Sequence, residues 1–183
     1  MLIVLSLVIV SMFIVGCGTG QAVKAGRVAK EVPTATKCLK DYEIGAFAVN
    51  LAPSEPGVGS YSVNQKALSG NLKGGESKVL AGVKLIHVGS VIQDYAGGMR
   101  GTDFKLEKAC SKDYTISAHY SLDGELADTK NLKGVFEVNG EEFSVGIGGK
   151  KVLADGTKII LENILHVAPA GGHQGLNFEL ICS

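Results

Sequence analysis

The chain has 183 residues, enough for one ordinary domain or two small ones. Eighteen Lys and Arg balance 18 Asp and Glu, so the formal net charge is zero. That balance gives no support to a nucleic-acid ligand, which needs a clustered basic surface, or to an acidic solvating tail.

Twenty-five Gly, only four Pro, no Trp and many Val, Ile and Leu fit short strands joined by tight turns. Residues 1–15, MLIVLSLVIVSMFIV, carry no charge, Gly or Pro. The run is shorter than the roughly 20 apolar residues of a comfortable bilayer span and has the length of a signal-peptide apolar region. It ends at Ile14-Val15-Gly16-Cys17, which resembles the lipobox of bacterial-type lipoproteins. In that family the Cys thiol receives a diacylglycerol and becomes the mature N-terminus, which makes Cys17 the candidate lipidation site. No Lys or Arg precedes the run, so the usual positive n-region is missing. The alternative is an uncleaved anchor helix over residues 1–17. Either reading exports residues 18–183 and predicts attachment to the membrane by lipid or helix. Residues 18–37 are small, polar and mildly basic without apolar periodicity, as expected of a flexible tether.

From residue 38 onward the chain matches itself. Cys38-Leu39-Lys40-Asp41-Tyr42 corresponds to Cys110-Ser111-Lys112-Asp113-Tyr114, an offset of 72. Further on, Lys78-Val79-Leu80-Ala81 corresponds to Lys151-Val152-Leu153-Ala154. Ala96-Gly97-Gly98 corresponds to Ala170-Gly171-Gly172, and Gly101, Phe104 and Leu106 to Gly175, Phe178 and Leu180. The predicted organisation is two tandem copies of a small β domain, at 38–109 and 110–183.

Within each copy the apolar period is two. Tyr114, Ile116, Ala118, Tyr120 and Leu122 alternate with Thr115, Ser117, His119 and Ser121, the pattern of a half-buried strand. Asn139-Gly140, between Val135–Val138 and Glu141–Val145, is the preferred centre of a type I′ hairpin turn. Ala154-Asp155-Gly156-Thr157 marks a second turn. Residues 158–167 also fit helical spacing at Ile160, Ile164 and Val167. Their partner segment 83–92 is β-branched, and its internal Gly89 argues against a helix and for a bulge or bend. Both segments are therefore assigned as strands. Five or six strands per copy predict an all-β fold, each copy a small β-sandwich or partly open β-barrel.

The runs Leu153-Ala154-Asp155-Gly156-Thr157-Lys158-Ile159, Ala170-Gly171-Gly172 and Phe178-Glu179-Leu180, with Gln93-Asp94-Tyr95-Ala96-Gly97-Gly98 in the first copy, resemble β-repeat modules of archaeal surface-layer and other secreted cell-surface proteins. The resemblance covers most of 63–107 and 136–181 and rests on turn and strand residues. It implies a structural or adhesive role at the cell surface, with no catalytic residues to carry over.

Besides Cys17 there are Cys38, Cys110 and Cys182, spaced 72 apart with no CxxC pattern, which leaves zinc and thioredoxin-like readings weak. Outside the cell a disulfide is permitted. First and last strands are often neighbours, which favours Cys110–Cys182. Cys38–Cys110 is the rival, and three reduced thiols the remaining alternative. His87, His119, His166 and His173 show no metal-ligand spacing, and no Gly-x-Ser-x-Gly motif occurs. Asp94 and Asp103 flank the first Ala-Gly-Gly loop and have oxygen chemistry suited to calcium, but the second copy has Ala168 and Asn177 there. Asp94, Tyr95 and His173 are the candidate ligand-loop residues. No cofactor is expected. The sequence thus predicts a non-enzymatic structural or interaction protein of the cell surface, associated with a surface layer and contacting other surface proteins or itself. The alternative is a lipid-anchored binding protein for a small molecule, glycan or metal.

Overall fold

Period-two patterning becomes twelve β-strands in the computed structural model, which describes residues 41–49, 57–93, 97–121, 131–167 and 172–183. Cys17, the tether, Cys38, Asp94 and Tyr95 lie outside the described residues. In chain order the strands are β1 (Tyr42–Val49), β2 (Val58–Val63), β3 (Lys66–Ala67), β4 (Ser77–Leu80), β5 (Val83–Ile92), β6 (Met99–Ala109), β7 (Lys112–Ser121), β8 (Lys133–Val138), β9 (Glu141–Gly146), β10 (Lys150–Val152), β11 (Lys158–His166) and β12 (His173–Ile181). The ambiguous segment at 158–167 is a strand. Gly89 does mark a bulge: the register of β5 against β6 slips between His87 and Gly89.

The strands form two six-stranded antiparallel sheets. Sheet A runs β10-β11-β12-β1-β2-β3 and sheet B runs β4-β5-β6-β7-β8-β9. Adding six to each strand number of sheet A, and counting around the twelve, gives the order of sheet B. The correspondence extends to register. Tyr42 and Ile44 pair with Leu180 and Phe178 as Tyr114 and Ile116 pair with Leu106 and Phe104. The bulge between Leu161 and Asn163 on β11 sits where β5 has its own.

This topology places residues 38–109 and 110–183 together in one sandwich rather than as two sandwiches in series. Each half gives three strands to each sheet, and the pairings β6–β7 and β12–β1 join the halves. Residues 37–183 form one compact unit. A single core takes Ile44, Tyr61 and Phe104 from the first half and Ile116, Phe136 and Phe178 from the second. Phe178 packs edge-on to Phe136 at 5.3 Å between ring centres, and Tyr61 packs against Phe104 at the same spacing. Size favours this arrangement: about 72 residues are near the small end of self-sufficient domains, and one core shared by both halves buries a larger fraction of the surface.

Two features cross between sheets at opposite ends. At one end Cys110, in the β6–β7 turn, is bonded to Cys182 beyond β12, with the Cα atoms 5.2 Å apart. At the other the Tyr120 hydroxyl of β7 meets His166 Nδ1 of β11 at 2.7 Å. The described chain begins at Asp41, at the disulfide end, since Tyr42 pairs with Leu180.

Three of the four edge strands are short: β3 has two residues, β10 three and β4 four, with Lys66, Lys78, Lys150 and Lys151 on them, whereas β9 has six residues and no Lys. The crossover after β3 bonds back to sheet B, Gly75 N–H donating to His87 O at 2.8 Å and His87 N–H to Glu76 O at 2.9 Å. The crossover after β9 does the same to sheet A through Gly148, Gly149 and Leu161. Short, lysine-bearing edges such as β3, β4 and β10 resist strand addition.

Candidate functional site

The outer face of sheet B is built by the residues that alternate with the core. On β6 Phe104 and Leu106 point inward, so Asp103 points out; on β7 Ile116 and Ala118 are buried, so Ser117 and His119 face the other way. Register aligns these residues in two rows. One runs Gly89, Asp103, Ser117, Glu137, Glu142, and the next runs Val91, Gly101, His119, Val135, Ser144.

Gly89 and Gly101 place no side chain between Val91 and Met99 on one side and Ser117 and His119 on the other. The face is hollow there, a concavity of about 390 Å³ whose lining also includes Gln93, Val135, Glu137 and Glu142. Gly101 has φ +155°, and a Cβ on it would fall 2.0 Å from Ala118 O, so the close approach of β6 to β7 requires glycine.

Beside the hollow lies a polar cluster. Asp103 Oδ1 accepts from the Ser117 hydroxyl and from His119 Nε2, the latter at 2.8 Å. These partners hold the Asp103 carboxyl below its ordinary range, the His119 bond contributing most; partial burial opposes it and the Ser117 bond reinforces it. Asp103 is thus an anion at neutral pH, and Nε2 of His119 carries a proton toward it. The order of contacts decides the chemistry. A serine nucleophile needs an imidazole nitrogen to take its proton, with the carboxylate behind the imidazole. Here the serine proton goes to the carboxylate, and the imidazole meets that same oxygen. The arrangement holds charge and orients His119; it does not activate Ser117.

A second group of polar side chains spans the core. Tyr61 Oη of β2 is hydrogen-bonded to His87 Nδ1 of β5 at 2.5 Å, and His87 Nε2 lies 3.3 Å from Gly57 O and 3.4 Å from Ser90 Oγ. His87 is fully buried, and burial pushes its imidazole below the ordinary value. Burial also pushes the Tyr61 and Tyr120 phenols up. These two Tyr–His pairs each tie sheet A to sheet B.

Of the residues singled out from sequence, Asp94, Tyr95, Cys17 and Cys38 lie outside the described residues. Cys110 and Cys182 are bonded at the far end from the Tyr120–His166 pair. His173 opens β12 on sheet A, its ring 6.2 Å from Phe47. Asp103 is taken up by Ser117 and His119. Among the described residues no group of three or more His, Cys, Asp or Glu is placed to hold a metal ion. Sequence reasoning missed the concavity. The alternation of Ser117 and His119 gave their common face, and the Asn139-Gly140 turn implied that Glu137 lies opposite Glu142, but nothing local announced that β6 pairs with β7. No match to this chain is found among protein-family models, curated proteins or solved structures.

Proposed function

We propose that this chain is a non-enzymatic interaction protein of the cell surface, exported and held at the membrane through its N-terminal side, with the outer face of sheet B as its contact surface. The observation that carries the reading is the concavity itself: a hollow with apolar walls and carboxylates on a broad exposed face, next to a serine whose contacts leave it unactivated. Three further observations agree. A sequence resembling a lipobox precedes a small-residue tether. The chain reaches the sandwich at its disulfide end, and strands of nine residues or so put the opposite end about 30 Å from that attachment point. A disulfide suits an oxidising compartment. The resemblance to surface-layer β-repeat modules makes other surface proteins, or further copies of this chain, the expected partners. The corresponding order of the two sheets supports reading the halves as duplicated units.

A second reading, a lipid-anchored binding protein for a small molecule, is favoured by the hollow's volume, which lies within the range of ligand pockets. Both readings share the anchor, and one experiment tests it. Replacing Cys17 by Ser is expected to move the protein from the membrane fraction to the soluble fraction of the cells that make it. Unchanged retention would overturn lipid anchoring at Cys17.

A further inference from the structure

We infer that the concavity on sheet B takes an organic cation, an ammonium or guanidinium on an aliphatic stem such as the side chains of lysine and arginine carry. The inference rests on the reading of this face as the contact surface. It starts from the charges. Asp103, Glu137 and Glu142 lie in one cross-strand row, and no Lys or Arg lines the hollow. Glu137 and Glu142 are directly opposite one another on β8 and β9, both exposed, and neither has an ion-pair partner among the described residues. Like charges directly opposite on a sheet are unfavourable, so the pair works against the hairpin that carries it.

The fold does not require this acidity, and the molecule contains its own control. Sheet A presents the corresponding row with every charge gone. Asn177 stands for Asp103, Gly45 for Ser117, Ser62 for Glu137 and Ala67 for Glu142, all at matching registers, and Phe47 stands for His119. The hollow is closed there as well: a Cβ on Gly45 would meet Ser62 Oγ at 2.4 Å and the Phe47 ring at 2.8 Å. The corresponding row of sheet A is thus filled and uncharged and that of sheet B open and anionic, while sheet A carries its own carboxylates, Glu43, Glu162 and Glu179, beyond that row. Val91, Met99 and Val135 supply apolar walls for a methylene stem, and Glu137 and Glu142, the two carboxylates that line the hollow, meet the charged head. A bare divalent ion fits less well, because it needs six or more oxygens and the walls are hydrocarbon.

The test uses the full-length chain, nitrogen-15 labelled and held in detergent, titrated with Nα-acetyl-lysine amide, Nα-acetyl-arginine amide and the uncharged Nα-acetyl-norleucine amide. The expected result is saturable amide shifts at Gly101, Ser117, His119 and Val135 for the two cations. Affinity should be about fivefold or more above that for norleucine amide, and lost by a similar factor in the Glu137→Gln/Glu142→Gln double variant. Both residues are exposed, so the variant keeps the wild-type fold, checked by unchanged shifts in sheet A. Equal shifts at these residues with norleucine amide, or an unaffected double variant, overturn the cation assignment while leaving the concavity a binding surface. Shifts elsewhere only, or none with all three probes, overturn both.

Discussion

His87 shows how much one buried side chain can set. Its neighbours on every side are fixed: the Tyr61 hydroxyl on Nδ1, Gly57 O and Ser90 Oγ near Nε2, with Asp103 and Glu76 as the nearby anions. Burial dominates and lowers its pKa beneath 6.5. The unfolded chain then binds the proton more readily than the folded one. Stability is full above about pH 6.5 and declines as pH falls from there toward the folded value, at no more than about 1.4 kcal/mol per pH unit for one proton. Urea midpoints at pH 8 and pH 5 check this, and His87→Gln is expected to flatten the difference. Asp103 acts in a separate window, its lowered pKa making its contribution vanish only below about pH 3.8. At Gly175 the constraint is space: a Cβ would stand 2.0 Å from Ala46 O, the contact Gly101 would make with Ala118 O. Gly175→Ala should cost about 1–3 kcal/mol or more, read from the denaturant midpoint. Neither effect was legible in the sequence, because His87 looked like any histidine in an apolar strand and the two glycines were only repeat matches.

At the scale of elements the β8–β9 hairpin was the most legible part, and for a clear reason. Asn139 and Gly140 have φ of 50° and 85°, the double positive that an Asn-Gly pair accepts at small cost. The β6–β7 hairpin was invisible. Its turn is Cys110-Ser111, also with both φ positive, but neither residue advertises that conformation. Seen only as repeat starts, these residues marked a domain boundary, whereas the fold runs straight through them. The hairpin legible in sequence also carries the opposed Glu137 and Glu142, and Glu142→Lys turns repulsion into attraction. We expect a gain of about 0.5–1 kcal/mol in thermal unfolding, together with loss of cation binding. A neutral or destabilising result would mean that the pair is already compensated.

For the whole molecule, period-two alternation predicted five or six strands in each half, and the described residues hold six in each. Matched positions such as Phe104 and Phe178, or Gly101 and Gly175, fall at corresponding registers of the two sheets, and the two Phe rings meet in one interior. Strand order is the part that local patterning cannot carry, since the same alternating segments suit two small sandwiches or one larger one. The Cys110–Cys182 bond encloses a 72-residue separation and links the β6–β7 turn of sheet B to the end of sheet A. Loop-closure entropy puts its contribution at about 4 kcal/mol, so reduction should lower the denaturant midpoint by a corresponding amount. A midpoint indifferent to reductant would show that the bond does not form in the protein as made.

The functional account stands on residues 41–183 being outside the cell. The most direct test is labelling of intact cells with a membrane-impermeant amine reagent, followed by mass mapping of the exposed lysines Lys78, Lys105 and Lys158. The account predicts that all three are modified on intact cells to the extent seen after lysis. Modification only after lysis would place the sandwich inside the cell and contradict the proposed role.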